Sequence, residues 1–391
     1  YSYIVKGDMR LNPEHPPLIK DLAGGMIWLW SKAFDQPVYF PEDIPAWQQD
    51  INGQWTFGFD FMYEEGNNAD LMLLLGRLPM LLILLILGIY VFKWTRELYG
   101  KKAALLALFL YSFSPTFIAH GRFITTDVAA AAAIFIASYY FIKWLKQPGA
   151  KNLIIAGLVF GLAQLAKFSV FLLVPLFVFV ALVWVCVKTR EEQKNEKKFS
   201  QAFWPLILKY VGGTILLMAI GAIFVIWPVY LYHIHNYPID RQIADAKYNL
   251  STFGLRPVAN LVIWLSEIPG LRALAQYGLG LAMVLQRADG GNTTYFLGQI
   301  SNLGSPLYFP FVYLVKETLT LHILTLVALA FGIYRAIKEK LFKPAAFGSF
   351  IQRNIGAVLM ISFIALYWYS SLTSPLNIGV RHVLPTFAFV F

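Results

Sequence analysis

Runs of apolar residues, each close to the length of a membrane-spanning helix, recur along most of the chain. A crossing needs about 20 mostly apolar residues. Eight runs approach that length and a ninth begins near Val383; the eight are Leu71–Phe92, Ala103–Ala119, Val128–Phe141, Leu153–Ala166, Ser169–Val187, Tyr210–Tyr232, Leu319–Tyr334 and Ala357–Ser370. The pattern predicts an all-α polytopic membrane protein.

The segments between these runs differ in charge. Lysine and arginine collect in four of them: Lys93–Lys102, Lys143–Lys151, Lys188–Lys198 and Arg335–Arg353. Such loops face the cytoplasm in most membrane proteins. The four basic loops alternate with the other segments if every run crosses once, so we expect the remaining segments to be extracytoplasmic.

This alternation predicts one membrane domain over residues 1–391. Within it we expect an outer loop at 1–70, spans at 71–232, a second outer loop at 233–317 and spans at 318–391. The chain begins with Tyr1 rather than methionine, and Phe391 falls inside an apolar run. We therefore expect the domain to be truncated at both ends.

Composition agrees with a membrane location. Of the 391 residues, 58% are hydrophobic and 14% are charged, against about 45–50% and about 25% in soluble domains. The net charge of +10 is unevenly placed, since residues 1–70 hold 11 of the 22 acidic residues and only four lysines or arginines. The excess of basic residues therefore indicates topology, and we expect membrane lipids but no nucleic acid as partners.

The first polar cluster with chemical potential is Asn12–Lys20, in the first outer segment. Three prolines stiffen its backbone around Glu14 and His15. A Glu-His pair beside Lys20 suits metal binding, phosphate binding or proton transfer. The alternative is a surface turn before a helix, for which Leu18, Leu22, Ile27 and Trp30 share one face.

Three further places put ionisable residues at the outer ends of spans, where such groups are functional candidates. Asp127 is either the N-cap of an alanine-rich helix or a site residue, and Arg122 lies five residues before it. Lys167 separates two apolar runs and either reaches the lipid headgroups or meets an anionic phosphate. Arg381 and His382 precede the last apolar run, as an interfacial anchor or as a phosphate site.

Several of these segments together resemble the polyprenyl-phosphate-sugar-dependent glycosyltransferases, which include the protein O-mannosyltransferases and the lipid A aminoarabinose transferases. The segments are Asn12–Lys20, Gly76–Pro79, Gly121–Asp127, Tyr295–Gln299 with its continuation to Lys316, and Gly379–Pro385. They occur in the same order as in that family and span nearly the whole chain.

The resemblance implies the GT-C membrane fold. It also implies transfer of mannose, or a related hexose or pentose, from a polyprenyl- or dolichyl-phosphate to a protein, lipid or glycan acceptor. The reaction would take place on the extracytoplasmic face with inversion. The family's first acidic motif, which supplies the base, is expected before Tyr1.

The resemblance also assigns roles to individual residues. It makes Glu14 and Asp127 catalytic, with a divalent metal ion as a candidate cofactor at Glu14. His15 stands where the lipid A branch has lysine. The residues expected at the donor phosphate are His15, Lys20, Arg122, Lys167, Arg381 and His382.

Two other functions are compatible with the sequence. A transporter or flippase of lipid-linked sugars would place ionisable residues near the middle of the membrane and often shows inverted repeats. Here those residues lie at the outer ends of spans, and no repeat is visible. An inactive subunit with the same fold is the third interpretation.

Overall fold

The protein is largely helical. A computed structural model describes residues 1–194, 198–341 and 343–391, and 75% of the structure is helix. The predicted all-α class is confirmed, apart from one short β-hairpin. Residues 195–197, in the predicted basic loop Lys188–Lys198, and residue 342, in the loop Arg335–Arg353, lie outside the described residues.

The first part of the chain contains short helices before the first long one. They are α1 (Ser2–Lys6), α2 (Leu18–Ala33), α3 (Pro45–Gln48) and α4 (Gln54–Phe59), with a π-helical segment at Asp60–Glu64. The next group is α5 (Ala69–Tyr99), α6 (Lys101–Ser112), α7 (Pro115–His120), α8 (Thr126–Lys146), α9 (Ala150–Gln164), a 3-10 turn at Phe168–Leu172 and α10 (Leu173–Lys194).

The second part of the chain opens with a long helix that two π-helical segments interrupt. It comprises α11 (Phe199–Leu206), π-helical Ile207–Gly212, α12 (Gly213–Gly221), π-helical Ala222–Ile226 and α13 (Trp227–His233). There follow α14 (Ile239–Asn249), α15 (Arg256–Ser266), α16 (Arg272–Gly290), β1 (Thr294–Phe296), β2 (Gln299–Ser301), α17 (Tyr308–Lys316), α18 (Leu319–Lys338), α19 (Pro344–Arg353), α20 (Ile355–Thr373), 3-10 turns at Val380–His382 and Leu384–Thr386, and α21 (Phe387–Val390).

Six helices in the described ranges are long and apolar enough to cross a membrane. They are Ala69–Tyr99, Thr126–Lys146, Phe168–Gln193, Phe199–His233, Leu319–Lys338 and Ile355–Thr373. Six of the eight predicted runs therefore form helices of membrane-spanning length.

The other two predicted runs differ from the expectation of one continuous crossing each. The run Ala103–Ala119 is divided between α6 and α7. The division occurs because the Ser114 side chain accepts a hydrogen bond from the backbone N–H of Phe117, and Pro115 begins a new helix. A residue that precedes proline is disfavoured in the α conformation. Leu153–Ala166 forms α9, which has only 15 residues.

Helix α8 lies at the centre of the bundle. Of the five alanines at 129–133, the first four, Ala129–Ala132, are almost fully buried. Such small side chains let neighbouring helices approach closely, and α5 and α9 both pack against α8. The N-terminus of α8, which carries Asp127, is thereby fixed between other helices.

A small buried cluster joins four segments that are distant in the sequence. Ile19 of α2, Met80 of α5, Ala129 of α8 and Ala166 pack together. The buried face of α2 follows the spacing Ile19, Ala23, Ile27, whereas the predicted face residue Leu22 is 38% exposed. This cluster brings the start of α2 to the start of α8.

Candidate functional site

The centre of the candidate site is an ion pair between two buried side chains. The Nζ atom of Lys167 lies 2.7 Å from Oδ1 of Asp127, and their side chains are only 13% and 8% exposed. Asp127 is the second residue of α8, while Thr125 occupies the N-cap position without a side-chain capping bond. Asp127 is therefore not the N-cap that the alternative interpretation required, although the helix N-terminus still favours its negative charge.

More cationic and imidazole groups surround this pair. Arg381 and His120 lie close enough to interact electrostatically with Asp127. Burial would lower the pKa of Lys167, but the carboxylate of Asp127 raises it above its ordinary value. The ammonium group of Lys167 is therefore charged at neutral pH.

Two histidines near the pair are held in the neutral form. Burial and, to a smaller extent, the positive charge of Lys167 lower the pKa of His382 to about 4. Burial likewise lowers the pKa of His15 to about 4, together with the charges of Lys20 and Lys167. The Nδ1 atom of His382 is buried and has no hydrogen-bond partner among the described residues, so it is free to bind another group.

The Asn12–Pro17 segment is held against the turn that carries Lys167. The backbone N–H of Leu18 donates to the carbonyl of Leu165 at 3.1 Å. On its other side the segment meets α16, where a Cβ on Gly280 would lie 2.3 Å from the carbonyl oxygen of Pro13 and 2.4 Å from Phe168. Only a glycine allows this close approach.

Lys20 donates hydrogen bonds to the backbone of this segment. Its ammonium donates to the carbonyls of Asn12 and His15, at 2.7 and 3.2 Å, and to the hydroxyl of Tyr3 at 2.9 Å. An ammonium group has three N–H donors, so this arrangement uses all of them on the protein. Burial lowers the pKa of Lys20 to about 7. These bonds give Lys20 a positioning role for the segment, and its expected phosphate contact stays a prediction.

Glu14 forms an ion pair at the edge of the site. Its Oε2 atom lies 3.0 Å from Nη1 of Arg287 on α16, and the side chains are 24% and 55% exposed. In the part of the chain that the structure describes, no group of three or more His, Cys, Asp or Glu residues is arranged to hold a metal ion. The donors around Glu14 therefore do not form the set of ligands that a metal ion needs, and the metal ion stays a prediction.

The side chain of Arg122 packs on Phe123, a residue that lines a basic cavity with Arg381. The Arg122 side chain is exposed, and its guanidinium lies over the ring of Phe123, 4.9 Å from the ring centre. Its convergence with Glu14 and Asp127 stays a prediction.

A cavity of about 370 Å³ opens beside the site, and its polar lining is basic. Arg77, His120 and Arg381 line it together with Thr125 and apolar side chains. The hydroxyl of Thr125 is buried without a partner among the described residues. Two guanidinium groups in one cavity suit an anion, which they can hold with paired hydrogen bonds.

An apolar groove of about 490 Å³ lies deeper along the same helices. It is lined by α5 between Leu81 and Phe92 and by Leu108, Phe117 and Ile118 of α6 and α7. The basic cavity uses Leu73 and Arg77 of α5 and His120 of α7. One face of α5 and one end of α7 therefore form first a basic and then an apolar surface.

The central part of the chain matches a known family. Residues 73–227, less than half of the chain, match the model of the dolichyl-phosphate-mannose-protein mannosyltransferase family. Over this stretch the chain is similar to that family, which is of the GT-C type. The resemblance predicted from the sequence is confirmed there. No curated protein and no solved structure matches the chain.

The family match covers only part of the candidate site. Arg77, His120, Asp127 and Lys167 lie within it, whereas Glu14 and Arg381 lie outside. Electrostatic interactions link the predicted residues other than Arg122 in one region, with Glu14 at its edge. Arg122 lies over Phe123, which lines the basic cavity.

Sequence reasoning missed three residues of this region. Arg77 was noted only as part of a motif, and neither His120 nor Arg287 was singled out. An arginine inside a long apolar run was the available signal for Arg77. Nothing local distinguishes Arg287, because its role depends on the packing of α16 against the Asn12–Pro17 segment.

Proposed function

We propose that the protein transfers a sugar from a polyprenyl- or dolichyl-phosphate donor to a protein, lipid or glycan acceptor. The observation that carries this proposal is the basic cavity of Arg77, His120 and Arg381. Two of these groups, Arg381 and His120, interact electrostatically with Asp127, and a separate apolar groove lies further along α5 and α7. A lipid-linked phosphate has the matching form, with an anionic head and a long apolar tail.

The donor phosphate would lie in the basic cavity. As the bond between the anomeric carbon and the phosphate oxygen breaks, the electron pair stays with the leaving lipid phosphate, whose negative charge grows. Arg381 and Arg77 would neutralise that charge, with Lys167 as the buried cation behind them. Preorganised cations of this kind stabilise a transition state because they need no rearrangement when charge develops.

The acceptor would approach the anomeric carbon from the side opposite the phosphate, which gives inversion. Its hydroxyl oxygen forms the new bond to that carbon, and its proton passes to a carboxylate within hydrogen-bond reach. We assign this role to Asp127, because it is the carboxylate that interacts with Arg381 and His120 of the basic cavity, whereas Glu14 pairs with Arg287 at the edge of the site. Lys167 would keep Asp127 ionised and oriented.

The extracytoplasmic location of this site is part of the proposal. It is supported by the basic loops Lys93–Lys102 and Lys143–Lys151, which lie at the ends of α5 and α8 opposite to Asp127. Cysteines introduced at Lys146 and at Asp43 should differ in labelling by an impermeant reagent added to intact cells. Labelling at position 146 but not at position 43 would show that the site faces the cytoplasm, contrary to the proposal.

The full-length protein, reconstituted in liposomes with a polyprenyl-phosphate-mannose probe, tests the reaction. Release of polyprenyl phosphate together with a glycosylated acceptor, found by mass spectrometry, would support the proposal. Movement of intact lipid-linked sugar between leaflets without release would instead indicate a flippase. The donors tested carry mannose, another hexose or a pentose, and the acceptors are proteins, lipids and glycans. The absence of both transfer and movement with all of them would favour an inactive subunit.

A further inference from the structure

One segment near the site has an unusual exposed surface. Residues 291–315 contain no Asp, Glu, Lys, Arg or His. They form the β1–β2 hairpin, the following loop and most of α17. Five large apolar side chains here are at least 64% exposed: Tyr295, Leu297, Ile300, Leu303 and Leu307. A contiguous apolar surface of this kind marks a contact with a partner or a membrane.

The hairpin has one face turned towards the protein and one turned away. Tyr295 and Ile300 are directly opposed across the two strands and are 70% and 75% exposed. Phe296 lies on the other face and packs against the rings of Tyr308 and Phe311, with centroids 5.4 and 5.6 Å apart. The exposure of Tyr295 and Ile300 is therefore fixed by the way the hairpin is attached.

The tip of the hairpin is apolar as well. Leu297 and Gly298 both have positive φ, +48° and +85°. Asparagine and glycine are the usual residues in such turns, because other side chains are strained there. Leucine at the first position gives the tip an apolar side chain despite this strain.

The depth of the hairpin is set by its attachment to the end of a membrane-spanning helix. Pro375 and Asn377 follow directly after α20, which ends at Thr373. The hydroxyl of Thr294 donates to the carbonyl of Asn377 at 2.8 Å, and the backbone N–H of Ser305 donates to the side-chain oxygen of Asn377 at 2.6 Å. The hairpin thus lies at the membrane boundary.

The exposed surface also continues into a helix that faces outward. Helix α17 leads within three residues to α18. Only 6% of the membrane-length window of α18 is buried in the protein, and Leu319 at its start is 73% exposed. The two apolar surfaces occur at the same end of α18.

We propose that the segment 291–307, which we term the hairpin segment, inserts its exposed side chains into the lipid leaflet at the end of the bundle where Asp127 lies. Lipid is favoured over a protein partner because the segment lies at the depth of the α20 end and adjoins the outward face of α18. Tyrosine and uncharged amides beside aliphatic side chains are typical of the boundary between headgroups and acyl chains. This inference is independent of sugar transfer and requires only that the helices span a membrane.

Lipid quenching of a fluorescent probe tests the insertion. In full-length protein with the single cysteine Cys186 replaced by serine, Ile300→Cys and, separately, Leu303→Cys would each carry an environment-sensitive label. Asp43→Cys, at an exposed acidic position of the first segment, serves as the water control, and Leu326→Cys on the outward face of α18 serves as the lipid control. All four proteins are reconstituted in nanodiscs containing a lipid with a nitroxide near the glycerol end of its acyl chain.

For probes at 300 and 303 we expect blue-shifted emission and quenching about twofold or more stronger than at position 43, since interfacial segments lie about 5–10 Å into the headgroup and acyl boundary. Emission and quenching equal to those of the Asp43 control at both positions would overturn the proposal. Blue-shifted emission in native membranes but not in nanodiscs of the purified protein would also overturn it, because that pattern indicates a protein partner. Sugar-transfer activity does not enter either readout.

Discussion

The ammonium of Lys167 lies 2.7 Å from the carboxylate of Asp127, although 40 residues separate them in the chain. Helices α8 and α9 carry the chain away from Asp127 and back again. A buried ion pair contributes little net stability, but removing one partner leaves an unpaired buried charge. The pair therefore makes the position of each group depend on the other.

A double-mutant cycle should reveal this dependence. Lys167→Met leaves the carboxylate of Asp127 unpaired, and we expect a loss of about 3–5 kcal/mol in the free energy of unfolding. Adding Asp127→Asn should recover part of that loss, with a coupling of about 1–3 kcal/mol. Denaturation of the wild type, the two single variants and the double variant, all purified in the same detergent, gives the four free energies of unfolding that the cycle needs. Additive effects of the two substitutions would show that the pair is not coupled.

The close approach of α16 to the Asn12–Pro17 segment predicts a packing effect. In Gly280→Ala, the new Cβ would lie 2.3 Å from the carbonyl of Pro13. Overpacking of this kind destabilises by about 1–3 kcal/mol, and it should also displace Glu14 and His15. Gly290→Ala is the matched control, because its Cβ would meet nothing within 4 Å. Equal unfolding temperatures for both variants would contradict the geometry.

The neutral histidines predict how stability depends on pH. The folded protein holds the pKa of His382 at about 4, below the ordinary value of 6.5. Between those values the unfolded chain binds the proton and the folded protein does not, so unfolding is favoured as the pH falls. The contribution is fully present above about pH 6.5 and is lost as the pH falls towards 4.

Thermal unfolding between pH 7.5 and about 4.5 measures this loss. We expect His382→Gln to decline less steeply than the wild type over that window. His235→Gln is the control, because His235 is exposed. A parallel decline in His382→Gln and the wild type would show that His382 is not the group responsible.

The spans and the polar positions at their ends were predictable because their signals are local. Apolar runs gave six helices of membrane-spanning length, and the charge of Asp127 at a span end marked it as a candidate. The break between α6 and α7 was also open to prediction, since Ser114-Pro115 is a local signal. It was obscured by the apolar residues on both sides.

The partners of the site residues were not predictable, because they depend on packing between distant segments. Lys20 and Lys167 are both lysines beside apolar runs, yet one holds backbone carbonyls and the other pairs with Asp127. Arg122 and Arg77 show the same limit. Arg122 was expected at the phosphate and lies over Phe123, while Arg77 lines the basic cavity.

The basic cavity makes a sharper prediction for Arg381 than for any other cation. Its side chain lines the cavity with Arg77 and His120 and interacts with Asp127. A guanidinium can hold two phosphate oxygens at once, whereas an ammonium is a point charge. We therefore expect Arg381→Lys to retain partial transfer from a polyprenyl-phosphate donor. We expect Arg381→Ala to reduce the transfer rate about tenfold or more, since a hydrogen bond to a charged group is worth about 1.5–3 kcal/mol.

Arg122→Ala is the matched comparison, because that guanidinium lies over Phe123, and its transfer should stay close to that of the wild type. Initial rates at equal protein levels, over a range of donor concentrations, separate weaker donor binding from slower chemistry. If Arg381→Ala transfers sugar at the wild-type rate, Arg381 is a headgroup anchor, for which arginine and lysine serve equally. If Arg122→Ala is impaired as strongly as Arg381→Ala, the site extends beyond the cavity described here.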